Sequence, residues 1–302
     1  MQALFGHIVS EEANPQRAMQ LFTKRMNHLN DLGIYQVALL DETAYIASRV
    51  NEDVQRKFNP SEEDRDPSQR LVNNAFIAQL SSNEELVKHQ KRLKINWNLH
   101  VSEFRRFYIR FRATDLYKSY VKAEESNYEV DKQLALELFR ALVNDEALKQ
   151  ALLDKDLLWE DDYDQIAQYN FMMLKELDAT FDVSSHFPLM NDPENQKDME
   201  AFDFAKKLVV NTLDSMTDNE PLIRRRLDKW ELERIPMLDI VILNMAITEL
   251  KTCPSIPDSV TLDEYVELAK EYSAPDSKSK MFVNGILNKI LEDMRHDGMI
   301  TK

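Results

Sequence analysis

Apolar residues recur every three or four positions along most of this chain, the spacing that lines one face of a helix. An amphipathic segment opens at residues 2–11 and stops at Asn14-Pro15, and Pro15 suits the first turn of a helix reaching about Asn30. A further helix is expected after Gly33, with Ile34, Val37, Leu40, Ala44 and Ile46 turned to a core. The stretch NPSEEDRDPS at 59–68 reads as a charged loop. Ser82 and Glu85 have the spacing of a capping box, and Asp131 and Asn144 suit N-caps. Residues 182–197, DVSSHFPLMNDPENQK, carry no period, so the chain is expected to divide into a region 1–196 and a region 197–302. Beyond that point Pro221 and Pro236 suit helix starts, TLDE at 261–264 repeats the capping-box spacing, and Gly298 suits a helix C-terminus.

Composition sharpens this to an all-α fold class. The 302 residues include only four glycines, Gly6, Gly33, Gly285 and Gly298, too few for a turn-rich β fold and too scattered for a phosphate-binding glycine loop. Cys253 stands alone and no two of the six histidines share a helix face, so neither a metal nor another cofactor is expected. No serine or cysteine sits in a glycine elbow, so no catalytic residue is nominated and the chain reads as a non-enzyme. The opening MQALFGHIVSEE lacks the basic start of a signal peptide, and IPMLDIVILNMAI at 235–247 is too short and polar to span a bilayer; a cytoplasmic protein is the expectation.

Charge adds a contrast. The formal net charge is −15, which on the whole disfavours phosphate-bearing partners. Residues 88–122 nevertheless hold ten basic side chains against Glu103 and Asp115, net +8, and residues 123–196 are net −13. Within this island Phe104, Phe107, Tyr108 and Phe111 form an apolar stripe, while Arg105, Arg106, Arg110 and Arg112 lie off it. Either the helix faces RNA with aromatics stacked on bases, or its arginines pair with the acids at 123–164 and its aromatics fill a core. Arg224, Arg225 and Arg226 fan over about 300° of a helix, so one or two must face solvent wherever the core lies.

The C-terminal third repeats three apolar stripes: Leu238, Val241, Ile242, Met245 and Leu250; Leu262, Val266, Ala269 and Tyr272; and Phe282, Val283, Ile286, Leu287, Ile290, Leu291 and Met294. Three such helices joined by short loops make a bundle. Gly285 costs about 1 kcal/mol against alanine inside a helix, which close approach of a neighbouring helix would offset. The pieces Trp230-x-x-Glu233-Arg234-Ile235, Ile242-Leu243, Glu249-Leu250, Ile256-Pro257, the helix carrying Glu264 and Ala269-Lys270, and Phe282-Val283-Asn284-Gly285-Ile286-Leu287 arrive in an order that resembles the NusB family of transcription antitermination factors. Gln2-Ala3-Leu4-Phe5 is similar to the family's first helix.

The resemblance implies a NusB-like helical bundle with a long additional helical region after the first helix. It implies a non-enzymatic factor that pairs with NusE, a small-subunit ribosomal protein, and binds boxA RNA within a transcription elongation complex with RNA polymerase, chiefly on ribosomal RNA operons. By the same resemblance Phe5 and Glu249 are partner-binding, and Asp276 and Phe282 lie near RNA; Phe282 serves equally as a core residue and Asp276 as a turn residue. An arginine-rich segment normally precedes the first helix, whereas this sequence opens at Met1-Gln2-Ala3-Leu4-Phe5, inside that helix. Either the start is truncated or the basic face lies elsewhere, and Arg105, Arg106, Arg110 and Arg112 are the candidate replacement. The competing functions are a helical adaptor that engages a protein partner without RNA, and an RNA methyltransferase carrying a NusB-like domain; the second lacks a cofactor loop.

Overall fold

A computed structural model describes residues 1–9, 15–56, 58–59, 65–123, 127–190, 196–227, 232–274 and 277–300. Among them the regular elements are helical: α1 (Gln2–Val9), α2 (Pro15–Gln55), α3 (Ala75–Ser82), α4 (Glu84–Arg92), α5 (Val101–Arg112), α6 (Asp115–Lys122), α7 (Tyr128–Val143), α8 (Glu146–Leu153), α9 (Tyr163–Glu176), α10 (Gln196–Arg226), α11 (Met237–Thr252), α12 (Asp258–Glu271) and α13 (Ser279–His296). They divide into two compact units, one of residues 27–190 and one of residues 1–26 with 191–302.

In the 27–190 unit α7 is central, packing against α3, α6, α8 and α9. It buries Leu134, Ala135, Leu138, Phe139 and Leu142. Asp131, expected as an N-cap, is instead buried in the first turn of α7, where Asn127 is the cap. Its carboxylate accepts the Ala75 N–H at 2.7 Å and the Tyr120 hydroxyl at 2.8 Å, tying three helices together. Asn144 ends α7 rather than starting α8, whose cap is Asp145. Asn83, not Ser82, caps α4, and Glu85 turns away to accept from the Phe187 N–H at 2.8 Å. The expected break at Gly33 is absent, because α2 runs through it. A Cβ there would stand 3.3 Å from Asn170 Oδ1, and Asn170 Nδ2 donates to the Gly33 carbonyl at 3.1 Å. Glycine therefore admits a buried amide from α9 and does not end the helix.

In the unit of residues 1–26 and 191–302, α11 is enclosed by α1, α10, α12 and α13. Every residue from Val241 to Leu250 is buried, so the short apolar run is a central helix rather than a one-sided one. Pro236 precedes α11 as expected, but Pro221 lies inside α10. Thr261 is not a cap, since α12 starts at Asp258. Gly298 adopts φ +68° after α13, and the Met299 N–H reaches the Met294 carbonyl at 2.8 Å, closing a Schellman turn. The arginine triplet is fully engaged: Arg224 pairs with Glu220 at 2.6 Å, Arg225 with Asp297 at 3.0 Å, and Arg226 holds both oxygens of Asp293. Arg226 and Asp293 thus fasten the end of α10 to the last turns of α13.

Candidate nucleic-acid and partner interface

The first turns of α13 carry exposed surface in the unit of residues 1–26 and 191–302. Met281 is exposed, and Phe282 is half-buried and packed on the apolar core. A Cβ added at Gly285 meets nothing within 4 Å, which overturns the expected helix contact and leaves that face of α13 open. Beside it lies a cleft of about 390 Å³, lined by Arg234, Pro236, Asp239, Lys278, Met281 and Phe282 among others. Asp239 is buried in the first turn of α11; burial pushes its carboxyl up, and a bond to Ser279 partly opposes this. Lys280 and Lys270 both bond Glu267, at 2.7 and 2.8 Å, and hold its carboxyl down at about 2. The cleft mixes apolar residues with exposed Arg234 and Lys278 and the buried Asp239, as a surface for a polar macromolecule or an anchoring side chain would. Asp276 and Trp230 lie outside the described residues.

Glu249 departs from its expected place. It is only 7% exposed. Its carboxylate accepts the Thr261 hydroxyl at 2.8 Å and the Tyr265 hydroxyl at 2.9 Å. Burial, then the Glu249 charge, pushes the Tyr265 phenol far up, so the phenol stays protonated and donates. Glu249 therefore pins α12 to α11, and the expectation of an outward carboxylate is corrected. Phe5, by contrast, is an exposed residue of α1, beside the buried Ala3 and Leu4.

The arginine island occupies α5, in the 27–190 unit. Phe104, Phe107, Tyr108 and Phe111 are all buried there, so they are core residues and not platforms for bases. Arg105 pairs with Asp53 at 2.6 Å and Arg106 with Glu103 at 3.0 Å. Arg110 pairs with Asp145, which also caps α8 through the Leu148 N–H. Only this third pair uses an acid from 123–164. Arg112 makes no ion pair among the described residues. The site residues named from sequence thus fall on separate elements: the arginines on α5, Phe5 on α1, Phe282 on α13 and Glu249 inside the bundle. Sequence reasoning named Arg234 only as part of the family motif and did not nominate Met281 or Asp239; no spacing announces the cleft the three share.

Among the described residues no group of three or more His, Cys, Asp or Glu is placed to hold a metal, and no helix is long and apolar enough to cross a membrane. Residues 163–292 match the NusB family. The transcription antitermination protein NusB of Salinibacter ruber (strain DSM 13855 / M31) is 38% identical over 115 residues, covering 38% of this chain and 67% of that protein. The protein of the same name from Geobacillus kaustophilus (strain HTA426) is 44% identical over 87 residues, 29% of this chain and 65% of its own length. That of Bacillus mycoides (strain KBAB4) is 38% identical over 95 residues, 32% of this chain and 72% of its own length. No solved structure matches. The ordered motifs around α11, α12 and α13, with this identity to proteins of which the chain covers about two thirds, show that the chain belongs to the NusB family.

Proposed function

We propose that this protein is a non-enzymatic transcription antitermination factor that pairs with the ribosomal protein NusE and binds boxA-type RNA in the elongation complex. The observation that carries the reading is the open face of α13. It lies within the family-matched residues and presents Met281, half-buried Phe282 and the unobstructed Gly285 near a cleft that carries Arg234, Lys278 and Asp239. Phe5 and Phe282 are assigned to the partner and RNA surfaces, with Asp276 beside Phe282 in sequence. Residues 27–190 are read as a helical unit inserted after the first helix. Arg105, Arg106 and Arg112 are read as its RNA contacts: exposed ion pairs of the Arg105 and Arg106 type contribute little and exchange readily for phosphates.

A gel-shift titration with a boxA oligonucleotide, with and without purified NusE, tests this. RNA binding that tightens when NusE is present supports the reading. Binding to NusE without any RNA shift would leave the protein-only adaptor in its place, a reading favoured by the ion pairs of Arg105, Arg106 and Arg110.

A further inference from the structure

A second cleft, of about 460 Å³, lies wholly within the 27–190 unit beside α5 and α6. Its charged and polar lining includes Arg112 at the end of α5, Lys118 and Lys122 one turn apart on α6, the hydroxyl-bearing Tyr108 and Tyr117, and Asp66. Among the described residues three cations and one carboxylate line it, and none of the three cations makes an ion pair. The neighbouring Arg105, Arg106 and Arg110 each hold an acid, so on α5 and α6 the cations without an ion pair among the described residues are those of this cleft.

The phenols add a donor. Tyr108 and Tyr117 hydroxyls stand 3.1 Å apart, so one donates to the other. The second phenolic proton has no acceptor in that pair, so one O–H of the pair remains a donor. Arg112 lines the same cleft as both phenols; burial raises the two phenols and the Arg112 charge partly opposes this. A guanidinium, two ammonium groups and a spare phenolic O–H form a set of donors with a net positive field. The complementary group has several acceptor oxygens and more than one negative charge. The volume falls in the range of small-molecule sites rather than of a bare ion.

We propose that this cleft binds a phosphomonoester, presented by a free mononucleotide or by the 5′ end of an RNA strand. The site shares Arg112 with the RNA contacts read for α5 but no residue with the cleft at α13, and its test needs neither NusE nor boxA, so either reading can fail alone.

Calorimetric titration of the full chain, at fixed ionic strength, would use inorganic phosphate, a 5′-mononucleotide and the matching nucleoside. Phosphate and the mononucleotide are expected to bind and the nucleoside not to. Lys118→Gln combined with Lys122→Gln should weaken binding by about tenfold or more, since two charge-assisted contacts are lost. Both lysines are exposed, so the variant should keep its melting temperature; Lys91→Gln, elsewhere in the island, should leave affinity unchanged. Short RNAs with a 5′-phosphate or a 5′-hydroxyl then separate the sources: a preference for the phosphorylated strand assigns the RNA end, and equal affinity assigns the free nucleotide. No binding of phosphate or mononucleotide up to about 10 mM, weaker than any specific site, would overturn the proposal. Affinity indifferent to Lys118 and Lys122 would overturn it equally.

Discussion

Glu249 and Asp239 are both buried carboxylates on α11, yet their surroundings give them opposite roles. Glu249 has two hydroxyl donors, from Thr261 and Tyr265, and so is a satisfied charge that holds α12 in place. Glu249→Gln should cost about 1–3 kcal/mol, by trading charged for neutral acceptors, and Glu249→Lys about 3 kcal/mol or more, by burying a cation against two donors. Denaturant unfolding checks both; a Lys variant of unaltered stability would contradict the geometry. Asp239 has one hydroxyl and a burial cost that raises its folded pKa. A carboxyl raised in the folded state contributes stability below its unfolded pKa and loses it as pH rises through the folded value. Asp239→Asn should therefore melt higher than the parent at pH 7, with the difference fading below about pH 4. Melting curves of the two proteins across pH 3–8 decide this.

At the scale of the element, α5 shows how one helix holds two kinds of arginine. Arg105 is tied to exposed Asp53 on α2 and Arg106 to half-buried Glu103 on α5 itself, whereas Arg110 is tied to Asp145, the largely buried cap of α8. Neutralising Arg105 and Arg106 together should flatten the slope of log RNA affinity against log salt by about 1–2 units while leaving stability nearly unchanged. Arg110→Gln should do the reverse, lowering the melting temperature with no change of slope. A slope unmoved by the first pair would remove α5 from the RNA surface. The amphipathic period of α5 was legible in the chain, because buried aromatics at helical spacing have few alternatives. The arginines' partners were not, because Asp53 and Asp145 are distant in sequence and only folding brings them near.

The molecule as a whole carries two separate apolar cores, one built around Phe139 and Tyr163 in residues 27–190 and one around Leu243 and Leu287 in the other unit. Phe139→Ala and Leu287→Ala should each cost about 2–5 kcal/mol through the cavity they leave. Hydrogen exchange should then show protection lost mainly in the unit that carries the substitution, since each core stabilises its own helices. Uniform loss across both units would show a single cooperative structure instead.

The sequence alone determined the helical class, the order of motifs that marks the family, the helix-ending glycine at 298 and the amphipathic period of α5, whose aromatics the structure then placed in a core. Each depends on neighbours a few residues away, and local geometry dictates it. Tertiary structure alone decided what the two inner glycines do: Gly33, read as a helix break, admits Asn170 from α9, and Gly285, read as a packing contact, faces open space. It also turned Glu249 inward and placed Arg112 with Lys118 and Lys122 around one cleft. These outcomes depend on which distant helix arrives beside a residue, and a three- to four-residue period carries no record of that.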